Sequence, residues 1–184
     1  MEVGRDKLST FFLTMEFREY LRRWQKFSGT LKTVLLEKMH SDLPQFEEYI
    51  REQLFSGLDG NERPLKPGYM EDPYFNQYKN PKKEAQRYKD WKTKIQRPKP
   101  SYLGFAARNN NTPNLIIRGD FYSSITAIPI ADGVKIVSYG VEFGSDIERK
   151  YGSQIFKVTE TAKRHYINYR LYPRIEKYYN QCGL

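Results

Sequence analysis

The chain has 184 residues, with 31 Lys and Arg against 22 Asp and Glu, a formal net charge of +9 and a mean hydropathy of −0.79. One cysteine, Cys182, excludes a disulfide framework and a cysteine-based metal site. No apolar run approaches a membrane span and the first residues lack the apolar core of a secretory signal, so the expectation is a chain without membrane contact, kept in a reducing compartment. The length fits a single domain, 1–184, able to bury a core without staples. Its 15 Tyr, 11 Phe and 2 Trp contradict disorder and suit broad protein contacts.

The charge is uneven. Residues 76–100 hold nine Lys and Arg against two acids, a balance of +7, which leaves +2 for the rest of the chain. The basic character therefore belongs to one segment.

In chain order, residues 6–27 read as a helix, with Leu8, Phe11, Phe12, Met15, Trp24 and Phe27 near one face and Arg18, Glu19, Arg22 and Arg23 opposite. Ser28-Gly29 is expected to stop it and Thr30 to cap the next, which makes 1–29 an N-terminal helical extension. A long helix follows over 30–56. Leu31, Leu35, Met39, Leu43, Phe46, Ile50 and Leu54 form a continuous apolar stripe, the pattern of a core face. Pro44, after Ser41 and Asp42, either starts a fresh helix or kinks one long helix.

Residues 57–114 read as an extended loop with a basic helical insert. Asp59-Gly60, Pro64, Pro67-Gly68 and Asp72-Pro73 mark an ordered loop or a short hairpin turning near Gly60-Asn61. Leu58, Leu65, Tyr69, Tyr74 and Phe75 mean that it packs on something. The insert, Ala85–Ile95, is expected to bury Tyr88, Trp91 and Ile95 and to present cations on the other side. Lys79, Lys82, Lys83, Arg87, Lys89, Lys92, Lys94, Arg97 and Lys99 form a candidate patch facing DNA phosphates or a partner; the plain alternative is a solvated helix face. Asn109-Asn110-Asn111 reads as a polar loop tip.

Leu115–Gly144 is the centre of the chain. Two β-branched runs flank Ala131-Asp132-Gly133, and an Asp-Gly pair in that setting signals a hairpin. Neither arm has a clean polar face, so cover is expected on both sides, from a helix or a neighbouring subunit. Pro129 marks an edge strand or its end. Residues 145–184 read as C-terminal helices. Ser145 or Asp146 caps a short one closed by Gly152. Thr159 caps the last, with Ala162, Tyr166, Tyr169, Tyr172, Ile175 and Tyr179 on one face and a bend or break at Pro173.

Nothing in the sequence points to catalysis, a metal or a cofactor. His40 and His165 have no partner at ligand spacing, and there is neither a glycine-rich phosphate loop nor a nucleophile elbow. Asp120, Glu142, Asp146 and Glu148 are the acids a metal nuclease would gather, but each has a simpler reading as a cap, a turn or a surface residue. Arg118-Gly119-Asp120 matches the integrin-binding tripeptide, without weight in an intracellular chain.

Arg118–Ile125 resembles the Thr-Gly-x-Leu-x-x-Ser-Ile stretch of the tail-completion and virion-morphogenesis proteins of tailed bacteriophages, with Arg118 and Phe121 in place of the family's Thr and Leu. Tyr139–Gly144 resembles the Tyr-x-x-x-Val-Glu-Phe-Gly stretch that follows in that family. Gln53–Gly60 with Pro64 and Pro67-Gly68-Tyr69, and Ile147–Phe156, are similar to a divergent branch of it. The first helix and the basic segment are additional or enlarged. The resemblance implies an α+β fold: long N-terminal helices packed on a small antiparallel sheet, with the central β-hairpin and a C-terminal helix. It also implies a structural protein of the virion neck, a head-tail connector with no active site. Such a chain joins a cyclic ring with copies of itself and with the other neck proteins (portal, adaptor, tail), around the DNA exit channel, and resides in host cytoplasm during assembly. The candidate ring interface is Phe121, Tyr122, Ile125, Tyr139, Val141 and Phe143. The readings from other classes are a non-sequence-specific nucleic-acid-binding module and, behind it, a metal nuclease that depends on Asp120.

Overall fold

The computed structural model describes the backbone of residues 3–184 and the side chains from Glu16 onward. The expected face Leu8, Phe11, Phe12 and Met15 lies outside the described side chains. The fold is α+β, in the order α1 (Val3–Ser41), α2 (Leu43–Phe55), two short 3-10 turns (Tyr69–Glu71 and Pro73–Gln77), α3 (Pro81–Ile95), α4 (Asp120–Ser124), β1 (Ile125–Ile130), β2 (Gly133–Ser138), α5 (Gly144–Tyr151), α6 (Glu160–Tyr166), a π-helical turn (Ile167–Leu171) and α7 (Tyr172–Gln181), with one more 3-10 turn at Ser153–Phe156. Where the sequence reads as one domain, the chain gathers into two compact units, 1–41 with 166–184, and 42–165.

In the first unit, α1 runs straight through Ser28-Gly29, against the expected stop. Ser28 Oγ and Thr30 Oγ1 bond back to the carbonyls of Gln25 and Lys26, so the hydroxyls serve the helix interior and do not cap a new one. A mid-helix glycine costs only about 1 kcal/mol relative to alanine. The aromatic packing of α7 across this point offsets that cost: Phe27 stacks on Tyr178 at 5.6 Å, and Trp24 and Phe27 both meet Tyr179 edge-on. Arg23 adds a hydrogen bond to the Gly183 carbonyl at 3.0 Å, and Thr30 bonds the Tyr178 hydroxyl. Pro173 has no N–H for the carbonyl four residues back, and the π-helical turn before it absorbs the missing bond. Tyr169 and Tyr172 stand exposed, whereas Ala162 and Tyr166, expected on the same face, are buried.

The second unit is organised by α2. The helix begins afresh after Asp42, with Pro44 in its first turn. Its stripe residues Phe46, Ile50 and Leu54 are buried, and Ile50 and Leu54 join Leu65, Phe121, Tyr122, Ile125 and Ile155 in one core. Gln53 enters the same core fully buried and donates through Nε2 to the carbonyls of Ile155 (3.1 Å) and Lys157 (3.0 Å).

The loop after α2 is an ordered turn held by the Asp59 carboxylate, which accepts from the backbone N–H of Asn61 and Arg63. Gly60 is required there: a Cβ would lie 2.3 Å from the Lys157 carbonyl oxygen. Asn111, read as part of a loop tip, instead fastens the next stretch. It accepts from the N–H of Tyr69 and Met70 and donates to Glu71.

The hairpin forms with a two-residue turn, Ala131-Asp132, and Ile130 paired with Gly133. Ser124 and Ser138 hydroxyls meet at its base (2.7 Å), and Gly144 packs so close that a Cβ would sit 2.5 Å from Ser138 Oγ. The expected two-sided cover is present only at the base. Ile125 and Ala127 are buried under α2, whereas Ile128, Pro129 and Ile130 are exposed. The outer edge of β1 is closed by side chains of α2. Glu47 accepts from the Ala127 N–H (3.1 Å), and Arg51, paired with Glu47, donates to the Ile125 carbonyl (3.2 Å). Since alternate N–H groups share an edge, Pro129 supplies the next outward position with no donor at all.

α5 starts at Gly144 with Phe143 at its N-cap and no side-chain cap, so neither Ser145 nor Asp146 caps it; Asp146 pairs with Arg149 at 2.7 Å. Thr159 Oγ1 does cap α6, accepting from Ala162 N–H.

Gln53→Leu keeps the volume and the apolar contacts but removes the donor from the buried Ile155 carbonyl and from the part-buried Lys157 carbonyl. We expect a loss of about 2–4 kcal/mol, read as a lower denaturation midpoint with an unchanged slope in urea. A variant as stable as the parent would show that the Gln53 bonds hold nothing together.

Candidate functional site

α3 extends one turn further than expected, from Pro81. Its inward line is Ala85 and Lys92, both buried, with Tyr88 half-buried between them, not Tyr88, Trp91 and Ile95; Trp91 and Ile95 are each 42% exposed. The helix is rotated because Tyr88 packs into an aromatic wedge with Tyr69 (5.4 Å) and Phe75 (5.7 Å) on the 3-10 turns. The rotation divides the basic patch. Lys79, Lys82, Lys83, Arg87, Lys94, Arg97 and Lys99 are exposed, Lys89 is half-buried, and Lys92 is only 1% exposed. Lys92 therefore leaves the surface patch. Arg87 pairs with Glu84 at 3.2 Å, and Lys99 lies over the Phe55 ring at 5.4 Å.

The candidate ring interface divides in the same way. Phe121, Tyr122 and Ile125 are core residues of the chain itself, between 1% and 9% exposed, and are unavailable to a neighbour. Their segment turns from the N-terminus of α4 into β1: Gly119 adopts φ 99° at the N-cap, and Ser124 Oγ donates to the Phe121 carbonyl. Tyr139 (77% exposed) and Phe143 (43%) remain on the surface, with Val141 half-buried.

Lys92 lines a cavity of about 650 Å³ in the second unit, between the 3-10 turns and α3 on one side and the 113–121 segment and α5 on the other. Its ammonium donates to the Ile116 carbonyl. Tyr69, also lining the cavity, is buried; the Asn114 backbone lies beside its oxygen as a donor, and its hydroxyl proton has no acceptor. Behind them Arg108 is buried, with Nη2 on the Gln96 carbonyl (2.6 Å) and Nε and Nη1 unpartnered. At the rim, Lys150 pairs with Asp72 at 2.5 Å. Burial first, and the neighbouring Arg108 charge second, push the Lys92 ammonium down to about 8. Burial lowers Arg108 as well, and raises the Tyr69 phenol to about 12. Sequence periodicity missed this cluster because a lysine on a basic helix reads as solvated. The only available signal was the odd residue itself, Lys92, four positions after Tyr88.

Among the described residues no three His, Cys, Asp or Glu side chains gather as a metal site, and no helix is long and apolar enough to cross a membrane. No family model, curated protein or solved structure matches the chain.

A lysine held at about 8 when folded, against 10.5 in its ordinary state, binds fewer protons folded than unfolded between those values. Stability from this group therefore rises with pH across that window, and its penalty is complete below about 8. Lys92→Met removes the penalty. The stability difference between variant and parent should favour the variant most near neutral pH and shift against it by pH 10. A pH-independent difference in urea melts would show that the charge of Lys92 costs the fold nothing.

Proposed function

We propose that the chain is a structural virion protein of the phage neck, a ring-forming connector between portal and tail that surrounds the DNA exit channel. One observation carries this reading beyond the sequence resemblance: the fold leaves ordered apolar surface uncovered on both units. On α1, Phe17, Tyr20, Leu21 and Trp24 are 38–59% exposed at helical spacing. On the hairpin, Ile128 and Ile130 share an exposed face with Lys135, and Tyr139 follows. A two-stranded hairpin is marginal in water unless something covers it. Its two edges differ in a way that suits a head-to-tail contact. The edge of β1 is closed by Glu47, Arg51 and Pro129. The register turns the N–H and C=O of Val134 and Ile136 outward on β2, an open edge for one strand of the next copy. A contact between unlike faces is what a closed ring uses. Function of this kind resides in shape, and no reaction is assigned to the chain.

The exposed cations of α3 favour a second reading, a non-sequence-specific nucleic-acid-binding module. Within a ring the same cations face either the DNA in the lumen or an acidic neighbouring ring.

Native mass spectrometry of the chain and cryo-electron microscopy of the assembled particle separate the two. The connector reading expects a cyclic oligomer in the particle, and Leu21→Glu or Ile130→Glu should reduce assembly while leaving the monomer folded. A chain absent from particles that binds duplex DNA as a monomer supports the binding module. In that case Lys82, Lys83 and Arg87 changed together to Gln should lower the salt dependence of log K by roughly 3.

A further inference from the structure

We propose that the cavity beside α3 binds an anionic group carried on an apolar or aromatic body, with Lys92 Nζ and the Tyr69 hydroxyl as its donors. The proposal is independent of the connector reading. Among the described residues neither Lys92 nor Arg108 forms an ion pair with a carboxylate. Two adjacent buried cations without a counter-ion are an expensive arrangement, and removing the charge in favour of an apolar side chain usually gains stability. An anion in the cavity supplies the missing partner.

The remaining polar groups agree in sign. The Tyr69 hydroxyl is buried in a residue that lines the cavity, and its proton lacks an acceptor. The nearby Tyr122 hydroxyl is already committed, donating to the Asn114 carbonyl at 2.5 Å, and Asn114 Nδ2 is another buried donor without an acceptor. Of the two acids that line the cavity, Asp72 is neutralised by Lys150, and Asp120 is accompanied in the lining by Arg118. The walls specify the body of the ligand. Phe75, Tyr88, Phe121 and Ile147 offer apolar surface, which a small hydrated ion does not fill. The volume, about 650 Å³, lies within the usual range of small-molecule sites, roughly 300–1,000 Å³. The anion has two possible sources with the same chemistry, a free aryl or alkyl acid and an acidic residue of a neighbouring chain seated beside an apolar one.

The test uses the full chain at neutral pH with benzoate and phenyl phosphate as probes and benzyl alcohol as the uncharged comparison, in calorimetric titrations and thermal melts. At least one anion should bind and raise the melting temperature, and benzyl alcohol should bind about tenfold more weakly or less, the factor that 1.4 kcal/mol provides. Lys92→Met should weaken the anion by at least a similar factor. Tyr69→Phe, which removes one oxygen atom and preserves the ring, should weaken it severalfold and decides the matter if the lysine variant does not fold. Equal binding of benzyl alcohol, no binding of either anion, or anion affinity retained in both variants would overturn the proposal. Native mass with excess benzoate then separates the sources. A fall in oligomer mass identifies a neighbour's carboxylate as the natural occupant, and an unchanged mass identifies a free acid.

Discussion

The amide of Gln53 is the interaction on which the second unit turns. α2 is an amphipathic helix whose apolar side chains would pack against many surfaces. Its polar side chains accept only one arrangement. Gln53 must find the carbonyls of Ile155 and Lys157, and that places the segment before α6 against the helix. One turn earlier, Arg51 and Glu47 must find the carbonyls of Tyr122 and Ile125 and the N–H of Ala127, and that places the start of the hairpin. Hydrophobic burial drives the collapse without direction, whereas hydrogen bonds to backbone groups set the register. The same bonds close one edge of β1, so a single helix both positions the hairpin and decides which of its edges stays open.

The cavity follows from a second constraint, the aromatic wedge of Tyr69, Phe75 and Tyr88. To pack Tyr88 into that wedge, α3 turns Lys92 inward. The exchange is unfavourable unless the lysine has an acceptor, and the Ile116 carbonyl gives only one for three N–H groups. A methionine at 92 would fill similar space without a charge. A charged group at such a position fits a role that needs the charge, while the exposed cations around it need no such explanation.

Much of the fold was legible. The hairpin about Asp132-Gly133, the restart at Pro44, the ordered loop after α2 and the Thr159 cap all follow from local chemistry, since a turn or a cap is specified within a few residues. The errors share one cause. Continuation of α1 through Gly29 depends on Tyr178 and Tyr179, about 150 positions away in the chain. The role of Asn111 depends on Tyr69, Met70 and Glu71. The rotation of α3 depends on two 3-10 turns with no periodicity of their own. Of the candidate site, the exposed cations were legible as a charge run. The buried ones were not, because Lys92 and Lys94 are indistinguishable until the partner surface is known. Phe121, Tyr122 and Ile125 were misplaced for the converse reason: a short motif rich in aromatics looks the same whether it packs inward or against a neighbour.

That last ambiguity carries a physical lesson about assembly surfaces. Phe121 and Phe143 lie near each other around one cavity, yet one is 3% exposed and the other 43%. Phe121 is fixed by the α4 turn, where Gly119 and the Ser124 hydroxyl leave its backbone no freedom. Phe143 stands at the N-cap of α5, with no side chain securing that cap. The inward aromatic is held by its own backbone, and the outward one is left to whatever covers it. Backbone bonding alone does not decide burial, since Phe17 and Leu21 lie within α1 and Ile130 is paired with Gly133, yet all three stand exposed.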